Sequence, residues 1–135
     1  MNAIPLLRIA RRFSAVAGGI DFATGVALVI APSVTLTLMG ASSPGADELG
    51  YIRFIGVFVA AVGASYLWAF ARGTGRELRT VLLITLIFRS GIALYVAAAV
   101  IFAVFQPMWS MVAVTDFACA VVQVWLLVRG VGRDG

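Results

Sequence analysis

Four long apolar runs, at about 14–38, 49–71, 78–105 and 108–128, take up most of this chain. A helix rises 1.5 Å per residue, so about 20 apolar residues cover the ~30 Å hydrocarbon layer of a bilayer. The expected fold is therefore all-α: a polytopic membrane protein, an antiparallel four-helix transmembrane bundle forming a single domain over 1–135. Composition points the same way. Hydrophobic residues make up 62% of the 135, where soluble domains carry roughly 45–50%. Charged residues are 12% against a usual ~25%, too few to solvate so much apolar surface.

The breaks between runs are short. Gly40, Ala41, Ser42, Ser43, Pro44 and Gly45 suit a turn. Segment 72–76, with Gly73 and Gly75, makes the second break, and Gln106 with Pro107 the third, tight enough to make the last two helices antiparallel neighbours. The third run is the longest and is expected to tilt or protrude. Pro32 and Pro107 stand near run ends as terminators or mild kinks. The apolar stretch after Arg12 is too long for a secretory h-region and contains Asp21, so it reads as a retained first span.

All basic residues are arginines, and their distribution orients the chain. Arg8, Arg11 and Arg12 precede the first run, Arg72, Arg76 and Arg79 lie between the second and third, and Arg129 and Arg133 follow the fourth. The two opposite connections carry Asp47 and Glu48 and no arginine. By the positive-inside rule both termini are expected in the cytoplasm. Tyr51 and Trp109 then fall near the outer surface and Trp68 and Trp125 near the inner one, as interfacial aromatics do. Arginines clustered beside apolar runs point to topology rather than to nucleic acid.

Four ionisable residues remain inside the runs: Asp21, Arg53, Arg89 and Asp116, whose formal charges cancel. Facing lipid, each costs about 2.5–3.5 kcal/mol at a helix centre. They are expected to form an intramembrane charge network inside the bundle. Steps of three and four residues place each on a stripe of small or polar positions. The stripes are Ser14, Gly18, Asp21 and Gly25; Arg53, Gly56, Ala60 and Ala64; Thr85, Arg89, Ala93 and Ala97; and Ala113, Asp116, Ala120 and Gln123. By depth, Arg89 lies roughly 15 Å and Asp116 roughly 12 Å from opposite surfaces, so the two can meet. Asp21 is deep enough to share the Arg89 fork, whereas Arg53 is shallower and can snorkel or reach Asp47 or Glu48.

Such residues mark either a proton or solute path or a buried ion pair that fixes helix packing. Charge balance and the scarcity of other polar side chains (Thr24, Thr85, Thr115 and Gln123) favour the packing role. No catalytic, cofactor-binding or metal-ligating set is legible. There is no histidine, and the single cysteine, Cys119, lacks an activating partner and reads as small packing. Gly73-Thr74-Gly75 is too short for a phosphate loop. Asp21-Phe22-Ala23 and Asp116-Phe117-Ala118 repeat a tripeptide, too short in so biased a composition to establish a duplication.

Three segments carry a family likeness: DFATGVALVIAP at 21–32, YIRFIGVFVAAVGASYLW at 51–68, and VTDFACAVVQVW at 114–125. On these the chain resembles the small four-helix bacterial membrane proteins of the loosely defined DoxX-like type. The resemblance implies a multi-pass bundle in the bacterial cytoplasmic (inner) membrane and carries over no catalytic residue. The expected function is that of a non-enzymatic accessory or structural subunit of a larger membrane complex, in contact with membrane lipids and with other subunits or itself, not with nucleic acid. The alternative is a small-solute or proton-coupled transporter using Asp116 and Arg89.

Overall fold

The computed structural model describes residues 3–42 and 44–133. Among the described residues five α-helices follow one another: α1 (Ala3–Ile30), α2 (Pro32–Leu38), α3 (Ala46–Arg72), α4 (Gly75–Ile101) and α5 (Ser110–Val128), with a 3-10 turn at Pro107–Trp109 leading into the last. Four of them are long and apolar enough to cross a membrane, over Pro5–Ile30, Ala46–Arg72, Gly75–Ile101 and Pro107–Val128. The chain folds as an all-α, four-helix antiparallel bundle.

Helix ends differ from the apolar runs where local chemistry intervenes. The first run, expected over 14–38, is divided. Proline disfavours helical geometry at the residue before it, and Ala31 leaves the helix with φ −135° and ψ 61°. Pro32 then opens the separate α2, while α1 extends back to Ala3 and carries Arg8, Arg11 and Arg12 on its own turns. The third run, expected to reach 105, stops at Ile101. Ala103 turns left-handed, φ 56°, and its N–H bonds the Val100 carbonyl at 3.1 Å while that of Val104 bonds Ala99 at 2.8 Å, closing the last turn. At 27 residues α4 equals α3. The last connection is longer than the pair Gln106 and Pro107 and is tied down by Gln106, whose Nε2 donates to Ser42 Oγ at 2.7 Å.

Sharp turns set the antiparallel order. Glu48 accepts from the Gly45 N–H at 2.9 Å at the start of α3, and the same helix ends on Gly73 at φ 72°, a conformation open to glycine at little cost. Thr74 caps α4 by accepting from the Glu77 N–H. The start of α1, the α3–α4 turn and the segment after α5 thus gather at one end, where Arg79 donates to the Val131 carbonyl at 3.3 Å. The exposed Arg8, Arg11, Arg12, Arg72, Arg76, Arg129 and Arg133 stand at this end. Arg72 lies over Trp68 and Arg129 over Trp125, stacked as cations on interfacial rings. Beneath them Leu6, Ala10, Tyr66, Ala69, Leu78, Leu82, Leu126 and Val131 form a core drawn from all four spanning helices.

Helix α1 packs mainly on α3, and α4 on α5. The α1–α3 seam is glycine-tight. A Cβ at Gly25 would stand 2.3 Å from the Ala60 nitrogen, and one at Gly63 would stand 2.3 Å from that of Phe22. Gly18–Gly25 and Gly56–Gly63 repeat every seven residues, which keeps both pairs on one face. Steps of four drift around the helix, so Ala64, expected on the α3 seam, is exposed, and Gly63, Tyr66 and Ala69 are buried instead.

Gly63→Ala is expected to force α1 and α3 apart and lower stability by about 1–3 kcal/mol, read as a reduced thermal midpoint in detergent. Gly19→Ala, with no atom within 4 Å of the added methyl, is the matched control and is expected to hold the midpoint or raise it slightly.

Candidate functional site

Near mid-bundle a single guanidinium gathers side chains from the four spanning helices. Arg89 of α4 donates through Nη1 to Asp116 Oδ1 of α5 and through Nη2 to Asp21 Oδ2 of α1. Its Nε donates to the Tyr66 hydroxyl of α3 at 3.1 Å. The planar fork of arginine suits two carboxylates at once because its N–H groups point in fixed, divergent directions. The Arg89 side chain is 5% exposed, while Asp21 and Asp116 keep 19% and 13%.

Below the fork the network continues. Gln123 Nε2 lies 2.7 Å from the Tyr66 hydroxyl, 2.7 Å from Thr85 Oγ1 and 3.2 Å from the Leu82 carbonyl, all within donating reach. Thr85 in turn donates to the Val81 carbonyl at 2.6 Å. Tyr66 and Gln123 are fully buried, so their polar atoms must find partners within the bundle: one another, Arg89, Thr85 and the Leu82 carbonyl. Gln123 Oε1, also buried, has no donor among the described residues.

The helices deliver these groups through their periodicity. Ser14, Gly18, Asp21, Gly25 and Leu28 share the inner face of α1. Gly18 lets α3 approach so closely that the Tyr66 Cβ lies 2.7 Å from where a side chain at position 18 would begin, and the phenol reaches Arg89. Thr85 and Arg89 are one turn apart on α4. Asp116, Ala120 and Gln123 share a face of α5, with Cys119 half-buried beside them.

Of the four intramembrane charges, three meet and one does not. Arg53 is exposed and donates from Nε to the Val29 carbonyl at 3.3 Å. Because α1 stops at Ile30 and Pro32 has no N–H to offer, carbonyls of its last turn lack helical partners, and a cation there also complements the helix dipole. Arg53 therefore serves the end of α1 rather than the charge network. The expected cancellation of charge fails at the cluster itself: one guanidinium faces two carboxyl groups.

Tyr66 is the side chain that sequence reasoning missed. It lies six residues before the end of α3 and resembles an interfacial aromatic. The available signal was its spacing of three from Gly63, which puts a phenol on the tightest face of the helix, where its hydroxyl must find a partner.

Among the described residues no three acidic or cysteine side chains converge as metal ligands do. A groove of about 600 Å³ runs along the outside between α4 and α5, lined by Ser90, Ala93, Ala97, Ala113, Phe117 and Ala120 among others. It is apolar and separate from the charged cluster.

Arg89→Met is expected to leave two carboxyl groups without their cation and to cost about 3–5 kcal/mol, whereas Arg53→Met changes stability little; denaturation of purified protein in detergent compares them. Tyr66→Phe removes the acceptor for Arg89 and Gln123 and is expected to cost about 1–3 kcal/mol in the same assay. Compared with known proteins, the chain matches no family model, no curated protein and no solved structure.

Proposed function

We propose that this protein is a non-catalytic accessory subunit of a membrane complex, seated in a bacterial cytoplasmic membrane with both termini inside. In this reading it belongs with the DoxX-like bundles it resembles and binds a transmembrane helix of a partner subunit through its own membrane-facing surface. The observation that carries the reading is the division of labour between inside and outside. Inside, Asp21, Tyr66 and Asp116 are bonded to Arg89, and toward the arginine-rich end the space is filled by Leu78, Leu82 and Leu126, each 0% exposed. Outside, the α4–α5 groove presents the small residues Ser90, Ala93 and Ala97, which let a neighbouring helix approach closely where no hydrophobic driving force exists.

A second reading has one observation in its favour. Asp21 and Asp116 retain some exposure and outnumber the cation between them, as a proton-coupled carrier requires. There Asp116→Asn abolishes a transport activity while expression persists.

Native mass spectrometry of the protein extracted from its own membrane in mild detergent tests the first reading. A stoichiometric partner is expected, and Ala97→Leu, which narrows the groove, is expected to reduce its retention. A lone monomer under every condition overturns the proposal, and retention of a second copy alone replaces the partner with self-association. For orientation, a single cysteine introduced at Ser42 in a Cys119→Ala background is expected to react with a membrane-impermeant maleimide in intact cells, and one at Gly73 is expected not to.

A further inference from the structure

The charges around Arg89 do not balance within the set of groups that surround it. From α1 the cluster receives Asp21, from α4 Arg89, from α5 Asp116 and the thiol of Cys119, and from α3 the phenol of Tyr66. Phenol and thiol are neutral near pH 7. Arg53 is engaged with the Val29 carbonyl at the outer end of α1. Arg8, Arg11 and Arg12 stand exposed near the start of the same helix, and Asp47 and Glu48 open α3 at the far end. With both carboxyl groups ionised, the middle of the bundle would hold a net charge of minus one with no counter-ion.

The placement of the two carboxyl groups bears on how that charge is removed. The carboxyl groups of Asp21 and Asp116 sit on the two terminal nitrogens of one guanidinium, close enough to repel each other. Like charges sharing one site do not both ionise readily. Arginine cannot supply the neutral partner, since it keeps its charge in proteins. A carboxyl group can.

We infer that Asp21, Arg89 and Asp116 form a binding site for one exchangeable proton, held by the two carboxyl groups jointly at neutral pH, so that the occupied cluster is a neutral acid beside an ion pair. Asp21 and Asp116 are the reachable members, at 19% and 13% exposure against 5% for Arg89. Proton uptake converts one carboxylate to a carboxylic acid and leaves the other carboxylate bonded to Arg89. Release restores two carboxylates on one cation and loosens α1 against α5. The site is independent of whether the bundle works as a subunit or as a carrier.

The test is infrared spectroscopy of the intact protein in lipid nanodiscs at pH 7, with and without isotopic labelling of the aspartate carboxyl carbons. A carboxylic acid carbonyl band that shifts on labelling is expected in the native protein. It is expected to vanish in Asp21→Asn and in Asp116→Asn alike, because either replacement leaves one carboxylate for one guanidinium. A native spectrum without the band overturns the inference, and so does a band that survives both replacements. A thermal series supplies a second readout. A group that holds its proton more tightly folded than unfolded contributes stability that is lost as pH rises. The native midpoint is therefore expected to fall between acidic and neutral pH more steeply than in either single variant, while both variants fold at pH 7. The double variant, which leaves Arg89 unpaired, is expected to melt below both. Equal pH dependence in native protein and single variants, or failure of the single variants to fold at pH 7, overturns the inference.

Discussion

An arginine in the middle of four apolar helices must be neutralised and hydrogen-bonded from several sides, and most of this architecture answers to that requirement. A guanidinium cannot shed its charge, and lipid offers it nothing. Arg89 is accordingly supplied with an acceptor from each of the other spanning helices: Asp21, Tyr66 and Asp116. Once those bonds are made, the rotation of every helix about its own axis is restricted. A turn of α5 by one residue carries Asp116 away from the fork, and a turn of α3 withdraws Tyr66. Buried ion pairs are a weak source of net stability, and selecting one arrangement among many is a role they have in some proteins. In a bilayer, where apolar faces gain little by meeting each other rather than lipid, such selection matters more.

The glycine seam answers a different need and makes the first possible. With backbones in near contact at Gly18, Gly25, Gly56 and Gly63, α1 and α3 form a stiff pair. The other pair, α4 and α5, is spaced by alanines and leaves a groove on its outer side. Tyr66 and Asp21, both on the stiff pair, reach across to Arg89 on the looser one. The polar cluster is therefore the main polar tie between the two halves of the bundle, while the leucine-rich core near the arginine-bearing end supplies the apolar one.

How far this could be read from sequence depends on which forces set each feature. Length and hydropathy fix the number of spanning helices, because the bilayer imposes a single scale on all of them. The depth of Arg89 and Asp116 along their helices brings them to one level, where the structure joins them, and Asp21 joins as the second carboxyl on the fork. Helix ends were less legible. Pro32 and Ala103 act through backbone geometry, and an apolar tally continues straight past both. Position in an apolar run assigns Arg53 to the charge network, but its partner is the Val29 carbonyl, free only because α1 stops at Ile30. Tyr66 was missed for a related reason: its partners come from α4 and α5, and nothing in its own helix announces them.

The separation of 68 residues between Asp21 and Arg89 has a consequence for biogenesis. A ribosome adding ~5–20 residues per second delivers the arginine several seconds after the aspartate. The first helix must therefore partition into the bilayer on its own apolar length, Pro5–Ile30, while its acid has no base. The glycine seam with α3 involves residues no later than Leu67, so it can close before α4 has emerged. A nascent chain paused at that stage holds a finished helical hairpin around an orphan acid, and it differs from the completed bundle by that one unpaired carboxyl group.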